Sequence, residues 1–351
     1  MELTNYTPFP ALAWESSDSV NKCYVTTLCR AKFKLVLQNS DSNQLRLSLD
    51  PKQGDLFGSD VYIDEDDART LRYPSDYVPF KPNGDLIVNG QTYSPEGIPR
   101  GEWNCAVKVF DPEEKLLLEK RLHVCGKRFW RKTFLGWKLD KPEVCSRIPI
   151  HYSYAFGGKA VLGNQEEIVD DYNLSGCGIV HKKQIDKVIQ APQIESHDNP
   201  IDPDKPYEVY LPQGFGAIDR TSYYRLQHAG TYDKKWLEEH HPDLPSDFKE
   251  AYHQSAHPDL IMKGYFLPRS SIRLIHLSKE MSEVSFVLPS YTFASLHTTN
   301  TAQIEQAMNI DTVIIDMDDE DQSNWSVYVS WRSRHLIDET IQKVEIVLHE
   351  K

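Results

Sequence analysis

The residues of this chain able to carry chemistry fall into three groups. His253 and His257 stand at i and i+4, with His240 and His241 shortly upstream. On a helix that spacing puts two imidazoles on one face, as a metal ion requires. The residues between them are Gln254, Ser255 and Ala256, so no carboxylate stands beside them as a base, and surface histidines are the expectation. Two acidic runs, Asp60 with Asp64, Glu65, Asp66 and Asp67, and Asp316 with Asp318, Asp319, Glu320 and Asp321, offer oxygens of the kind calcium takes. Neither has the sharp-turn glycine or the closing glutamate of an EF-hand loop, so both read as solvated turn charges. Cys23, Cys29, Cys105, Cys125, Cys145 and Cys177 contain no C-x-x-C pair and no zinc-ribbon spacing. They read as reduced thiols, with Cys29 and Cys105 on the apolar side of alternating runs as small core residues.

Motifs for nucleotide or acyl chemistry do not assemble. Gly214-Phe215-Gly216 opens like a dinucleotide fingerprint, but Asp219 stands where the third glycine belongs and no βαβ unit surrounds it. A G-x-S-x-G elbow and a P-loop are both missing from the sequence. The residues therefore predict no catalytic site, no metal site and no cofactor, and a protein that is not an enzyme. The alternative is a hydrolase or glycan-binding protein whose site lies among the Tyr, Trp and carboxylate residues of the second half.

The elements that position these residues are mostly strands. Of 351 residues, 40% are hydrophobic and 26% charged, the composition of a globular protein with a sizeable core. A net charge of −13 argues against nucleic acid as a partner, since phosphate recognition needs a basic surface. The N-terminus lacks a signal-peptide pattern, and no apolar run approaches the roughly 20 residues of a membrane span; the expected location is cytoplasmic. Period-two alternation over 25–37, 45–49, 86–93, 103–110 and 116–124 predicts a first region, 1–150, that is almost wholly β, with 25–37 and 45–49 as a hairpin buried on one face. The second region, 151–351, combines Pro-rich loops at 192–212 with strands at 272–277, 284–289, 312–316, 326–332 and 343–349. Helices are expected at 233–241 and 247–256, capped by Asp233 and Asp247, and at 301–308. The two regions are separate β-rich domains or one continuous unit. The fold class is mainly β, in sandwich-like layers, with a few short helices in the second half.

Several runs acquire meaning together. They are Asn5-x-Thr7-Pro8-Phe9; Ala31-Lys32-Phe33; Tyr73-Pro74-Ser75-Asp76-Tyr77-Val78-Pro79-Phe80-Lys81-Pro82 with Asp85, Val88 and Gly90; and Val124-x-Gly126-x-Arg128-x-Trp130. Further on stand Pro149-Ile150-x-Tyr152-x-Tyr154-Ala155-Phe156-Gly157-Gly158, Ala229-Gly230-Thr231-Tyr232-Asp233-x-x-Trp236, Pro245-x-Asp247-Phe248, Asp311-Thr312-Val313-x-Ile315-Asp316 and Trp331-Arg332. In this order, over nearly the whole chain, the set resembles the bacterial family catalogued as domain of unknown function 2169. The resemblance implies an adaptor or chaperone of the type VI secretion system, a non-enzymatic protein that holds a secreted effector and helps load it onto the spike protein through a PAAR-type tip domain. Loop 73–85 packs prolines and aromatics into an extended, low-entropy segment. Tyr73, Pro74, Asp76, Tyr77, Phe80, Lys81 and Asp85 are accordingly the candidate partner-binding residues. The other reading of the loop has Ser75 and Asp76 making local turn bonds while the aromatics cover the sandwich.

Overall fold

The alternating runs pair as strands in a computed structural model that describes residues 1–38, 44–63 and 70–349. The architecture is mainly β, with two short α-helices, Tyr223–Leu226 and Lys234–Glu239. A large sheet runs in the order Glu2–Asn5, Lys343–His349, Thr292–Thr298, Gln303–Asp316, Ser326–Leu336, Cys23–Leu37, Ala11–Ser17. Leu45–Leu49 adds to Cys23–Leu37, and Asp85–Asn89 joins Gln303–Asp316 in parallel. The sheet nearly closes: Leu3 and Ala13, on its two end strands, pack on the same cluster of Val25, Ile341 and Val344.

A second, antiparallel sheet runs Ile194–Ser196, Leu116–Cys125, Glu102–Phe110, Ser271–Ile275, Glu283–Val287. Its inward residues, Cys105, Val107, Val109, Leu122, Val124, Ile272, Leu274 and Phe286, share one core with Phe33, Leu86, Val313, Val329 and Trp331 of the large sheet. Each sheet holds strands from both halves of the chain, and both halves contribute to that core. Cys29 and Cys105 are core residues, and burial pushes both thiols up to about 12.

Three expectations change. Residues 301–308 are not helical but begin the strand Gln303–Asp316, paired with Thr292–Thr298. Segment 247–256 forms only the single 3-10 turn Glu250–His253. The strand Cys23–Leu37 is buried on both faces from Val25 to Ala31, because loop 73–85 lies across its second face: Thr26 donates to the Pro79 carbonyl at 2.7 Å. Residues 45–49 do pair with Cys23–Leu37 as a hairpin, whose turn at 39–43 lies outside the described residues. Helix Lys234–Glu239 forms as expected, with the Asp233 carboxylate accepting from Trp236 N–H at 2.8 Å. Among the described residues no helix is long and apolar enough to cross a membrane.

Candidate partner-binding surface

Loop 73–85 is tied down by charge. Arg30, on the covered face of Cys23–Leu37, donates to Asp76 at 2.5 Å, and its guanidinium lies 3.8 Å over the Phe57 ring. The same carboxylate accepts from Phe57 N–H at 2.7 Å. Burial pushes Asp76 up and Arg30 down from their ordinary values, each opposed by the charge of the other. Arg332 pairs with Asp311 at 2.5 Å and reaches the Asp76 and Val78 carbonyls. Lys81 donates to Asp85 at 2.7 Å and to Thr312 at 2.9 Å, while Asp85 also accepts from Ser255 N–H at 2.8 Å and from Gln254. A charge held away from water this way is tolerated only with such partners.

The seven candidate residues therefore divide. Asp76, Lys81 and Asp85 are buried in these ion pairs, and Pro74 is buried beside them. Tyr73 stacks on Phe57 with centroids 4.6 Å apart and donates its hydroxyl to Asp316. Phe80 is half-buried beneath Arg334. Only Tyr77 of the seven is exposed, and its ring stacks on Trp14, 6.0 Å away. Ser75 makes the local bonds, its hydroxyl accepting from Tyr77 N–H at 3.2 Å. The accessible one of these seven is thus Tyr77, stacked on the half-buried Trp14 of the strand Ala11–Ser17, which carries no motif that could have marked it.

The wider opening lies where the two sheets end. Leu45–Leu49 and Glu283–Val287 are both outer strands, each paired on one side in its sheet, and a parallel bridge between Gln44 and Ser285 joins the two. Beyond the bridge they flank a groove of about 500 Å³. Phe33, Leu47, Phe286 and Tyr291 supply apolar lining, and Arg46, Glu114 and Arg273 supply charge. Leu49 and Val287 stand exposed at its margins. Strand edges of this kind offer backbone donors and acceptors to an added strand.

A second exposed apolar feature is the hairpin of Phe129–Thr133 and Gly136–Leu139, whose two-residue tip, Phe134-Leu135, is 96% and 85% exposed. Two large apolar residues at a position that ordinarily takes Asn, Asp or Gly were the signal available in the sequence.

The histidines do not share a helix face. His253 ends its 3-10 turn near Arg225, and His257 lies apart, wedged between sheet and loop. Lys120, on Leu116–Cys125, meets His257 Nδ1 at 2.7 Å, Asp259 at 3.0 Å and the Gln213 oxygen at 3.0 Å. Burial lowers Lys120 to about 8 despite Asp259, and His257 to about 3. All three N–H donors of an ammonium are taken by internal partners there, which makes Lys120 a tie rather than an available nucleophile. Of the acidic runs, Asp64 to Asp67 lie outside the described residues. In the second run Asp316 pairs with Arg72 at 2.9 Å and Glu320 with Arg147 at 2.5 Å, while Asp321 caps the turn Gln322–Asn324.

Fold and surface together define a mainly β scaffold with a groove between two outer strands, an apolar hairpin tip and a charge-locked loop. The chain belongs to the family described as an uncharacterized protein conserved in bacteria, DUF2169, whose profile matches residues 21–332. No curated protein and no solved structure matches it.

Proposed function

We propose that this protein is a non-catalytic, cytoplasmic adaptor of a type VI secretion system. It binds a secreted effector, with its PAAR-type tip domain, keeps it from aggregating and passes it to the spike protein. The order of motifs along the chain gives the reading its direction. The observation that carries it physically is the pair of outer strands, Leu45–Leu49 and Glu283–Val287, around one groove. An extended client segment laid there pairs its backbone with an edge and seats alternate side chains on Phe33, Leu47 and Phe286. Tyr77 with Trp14, and the Phe134-Leu135 tip, add exposed aromatic and apolar area of the kind that anchors interfaces. A charge of −13 keeps the free adaptor soluble and complements a basic toxin domain.

The test is to tag the protein in its own bacterium, purify it gently and identify what accompanies it by mass spectrometry. An effector bearing or joined to a PAAR-type domain co-purifies, and deletion of the adaptor leaves that effector unstable or unsecreted. Recovery of the chain alone, with effector secretion unchanged in the deletion strain, refutes the proposal.

A further inference from the structure

The outer face of the five-stranded sheet brings together three side chains of metal-ligand type. Glu102 opens the strand Glu102–Phe110 and Cys125 closes Leu116–Cys125; the antiparallel register sets them opposite each other, with His123 opposite Asn104. Period two places His123 and Cys125 on one face. A carboxylate oxygen, a ring nitrogen and the sulfur lie within 4.8 Å of one another, and among the described residues no other three His, Cys, Asp or Glu side chains converge in this way. A tetrahedral zinc ion, with Zn–S near 2.3 Å and Zn–N and Zn–O near 2.0 Å, holds its ligand atoms about 3.3–3.6 Å apart, so closure asks for shifts of roughly an ångström. The Glu102 side chain is 63% exposed and free to make them, while Cys125 is fully buried and anchors the group.

The imidazole is already set for such a role. His123 Nδ1 lies 3.0 Å from the Asn104 side-chain oxygen. That oxygen only accepts, so the ring proton sits on Nδ1. Nε2 is left with its lone pair facing a Glu102 oxygen 3.8 Å away. Two electron-pair donors opposed without a proton between them repel, and a cation between them reverses the sign. A metal-ligating histidine usually has its other nitrogen held by an oxygen in this manner. Arg128, whose positive charge acts on His123, is paired with Glu195, the residue across the ladder from His123.

We propose that Glu102, His123 and Cys125 form a zinc site: thiolate, imidazole and carboxylate bind the ion, the Cys125 proton leaves to solvent, and water fills the fourth position. Mixed sulfur, nitrogen and oxygen ligation suits zinc over calcium or magnesium. The ion clips the first residue of one strand to the last residue of its neighbour, where their ladder ends. Spacing rules built on C-x-x-C miss such a site because its ligands come from two strands in register.

Full-length protein, kept reduced with a phosphine and stripped with chelator, is titrated with Co²⁺ and then with Zn²⁺. One equivalent of Co²⁺ is expected to give a sulfur-to-cobalt charge-transfer band in the near ultraviolet and tetrahedral absorption in the visible, both erased by Zn²⁺. Cys125→Ser removes the charge-transfer band, and Cys145→Ser leaves it. His123→Asn and Glu102→Gln, both on the outer face and outside the core, each weaken Co²⁺ binding at least about tenfold, and in the native chain Zn²⁺ raises the midpoint of thermal unfolding. Absence of the band, its survival in Cys125→Ser, or unchanged affinity in His123→Asn and Glu102→Gln overturns the site and leaves His123 and Glu102 as surface neighbours.

Discussion

At the scale of single residues, the candidate loop separates holding from binding. Asp76 is the partner of a fully buried arginine, so Asp76→Ala leaves the Arg30 guanidinium uncompensated beneath the loop. Breaking one half of a buried pair costs about 3–5 kcal/mol, and urea unfolding should show a loss of that size. Tyr77, half exposed with its ring stacked on Trp14, gives the contrasting result. Tyr77→Ala should cost about 1 kcal/mol or less while weakening capture of the effector in the co-purification assay. Equal effector capture by Tyr77→Ala and the native chain removes the loop from the binding surface. Sequence could nominate the loop, because prolines and aromatics in thirteen residues are visible there. It could not tell Tyr77 from Tyr73, because their difference is which one meets Phe57 and Asp316 and which one meets Trp14.

At the scale of elements, strands with one apolar face were legible and edges were not. Residues 103–110 alternate cleanly because one face meets the core and the other does not. Residues 301–308 misled for a physical reason: Thr-Ala-Gln-Ile-Glu-Gln-Ala-Met is rich in helix formers. The neighbouring strand Thr292–Thr298 takes its backbone donors and acceptors into a ladder, and tertiary pairing overrides local propensity. Which strands lie at an edge is decided by pairings far apart in sequence, so the groove had no local signature. Its role is tested by Val287→Lys: Val287 is 52% exposed, so stability should change by no more than about 0.5 kcal/mol. A charge at the groove margin should nevertheless weaken effector binding tenfold or more, a change of about 1.4 kcal/mol. In the complex, amides of 45–49 or 283–287 should gain protection from hydrogen exchange. An effector that binds with neither edge protected docks elsewhere, and the hairpin tip becomes the next surface to substitute.

At the scale of the molecule, three histidines are built into separate places largely shielded from water. His253 lies under the charged network of the loop, where burial first and then Arg225 and Arg332 lower it to about 3. His257 is lowered to about 3 by burial and Lys120. His297 lies inside the nearly closed sheet, bonded to Ser295 at 2.9 Å and stacked on His335 at 4.6 Å, and burial with His335 lowers it to about 4. In the unfolded chain each takes up a proton near its ordinary 6.5, whereas the folded chain refuses it down to the lowered value. Between pH 6.5 and about 4 the unfolded state therefore binds more protons, and stability falls as pH falls. With all three engaged the slope approaches about 4 kcal/mol per pH unit, a large fraction of a typical domain's total. Urea midpoints measured from pH 7 to 5 should drop steeply, and His297→Gln should lessen the slope by about a third. A flat profile over that range would mean that these imidazoles gain protons in the folded protein as readily as in the unfolded one. The acid sensitivity belongs to the scaffold rather than to any one surface, because the three side chains sit in the loop network, beside the second sheet and inside the first. If the proposed adaptor role holds, client binding is expected to be firmest near neutral pH, and a co-purification carried out below pH 6 should lose effector and fold together.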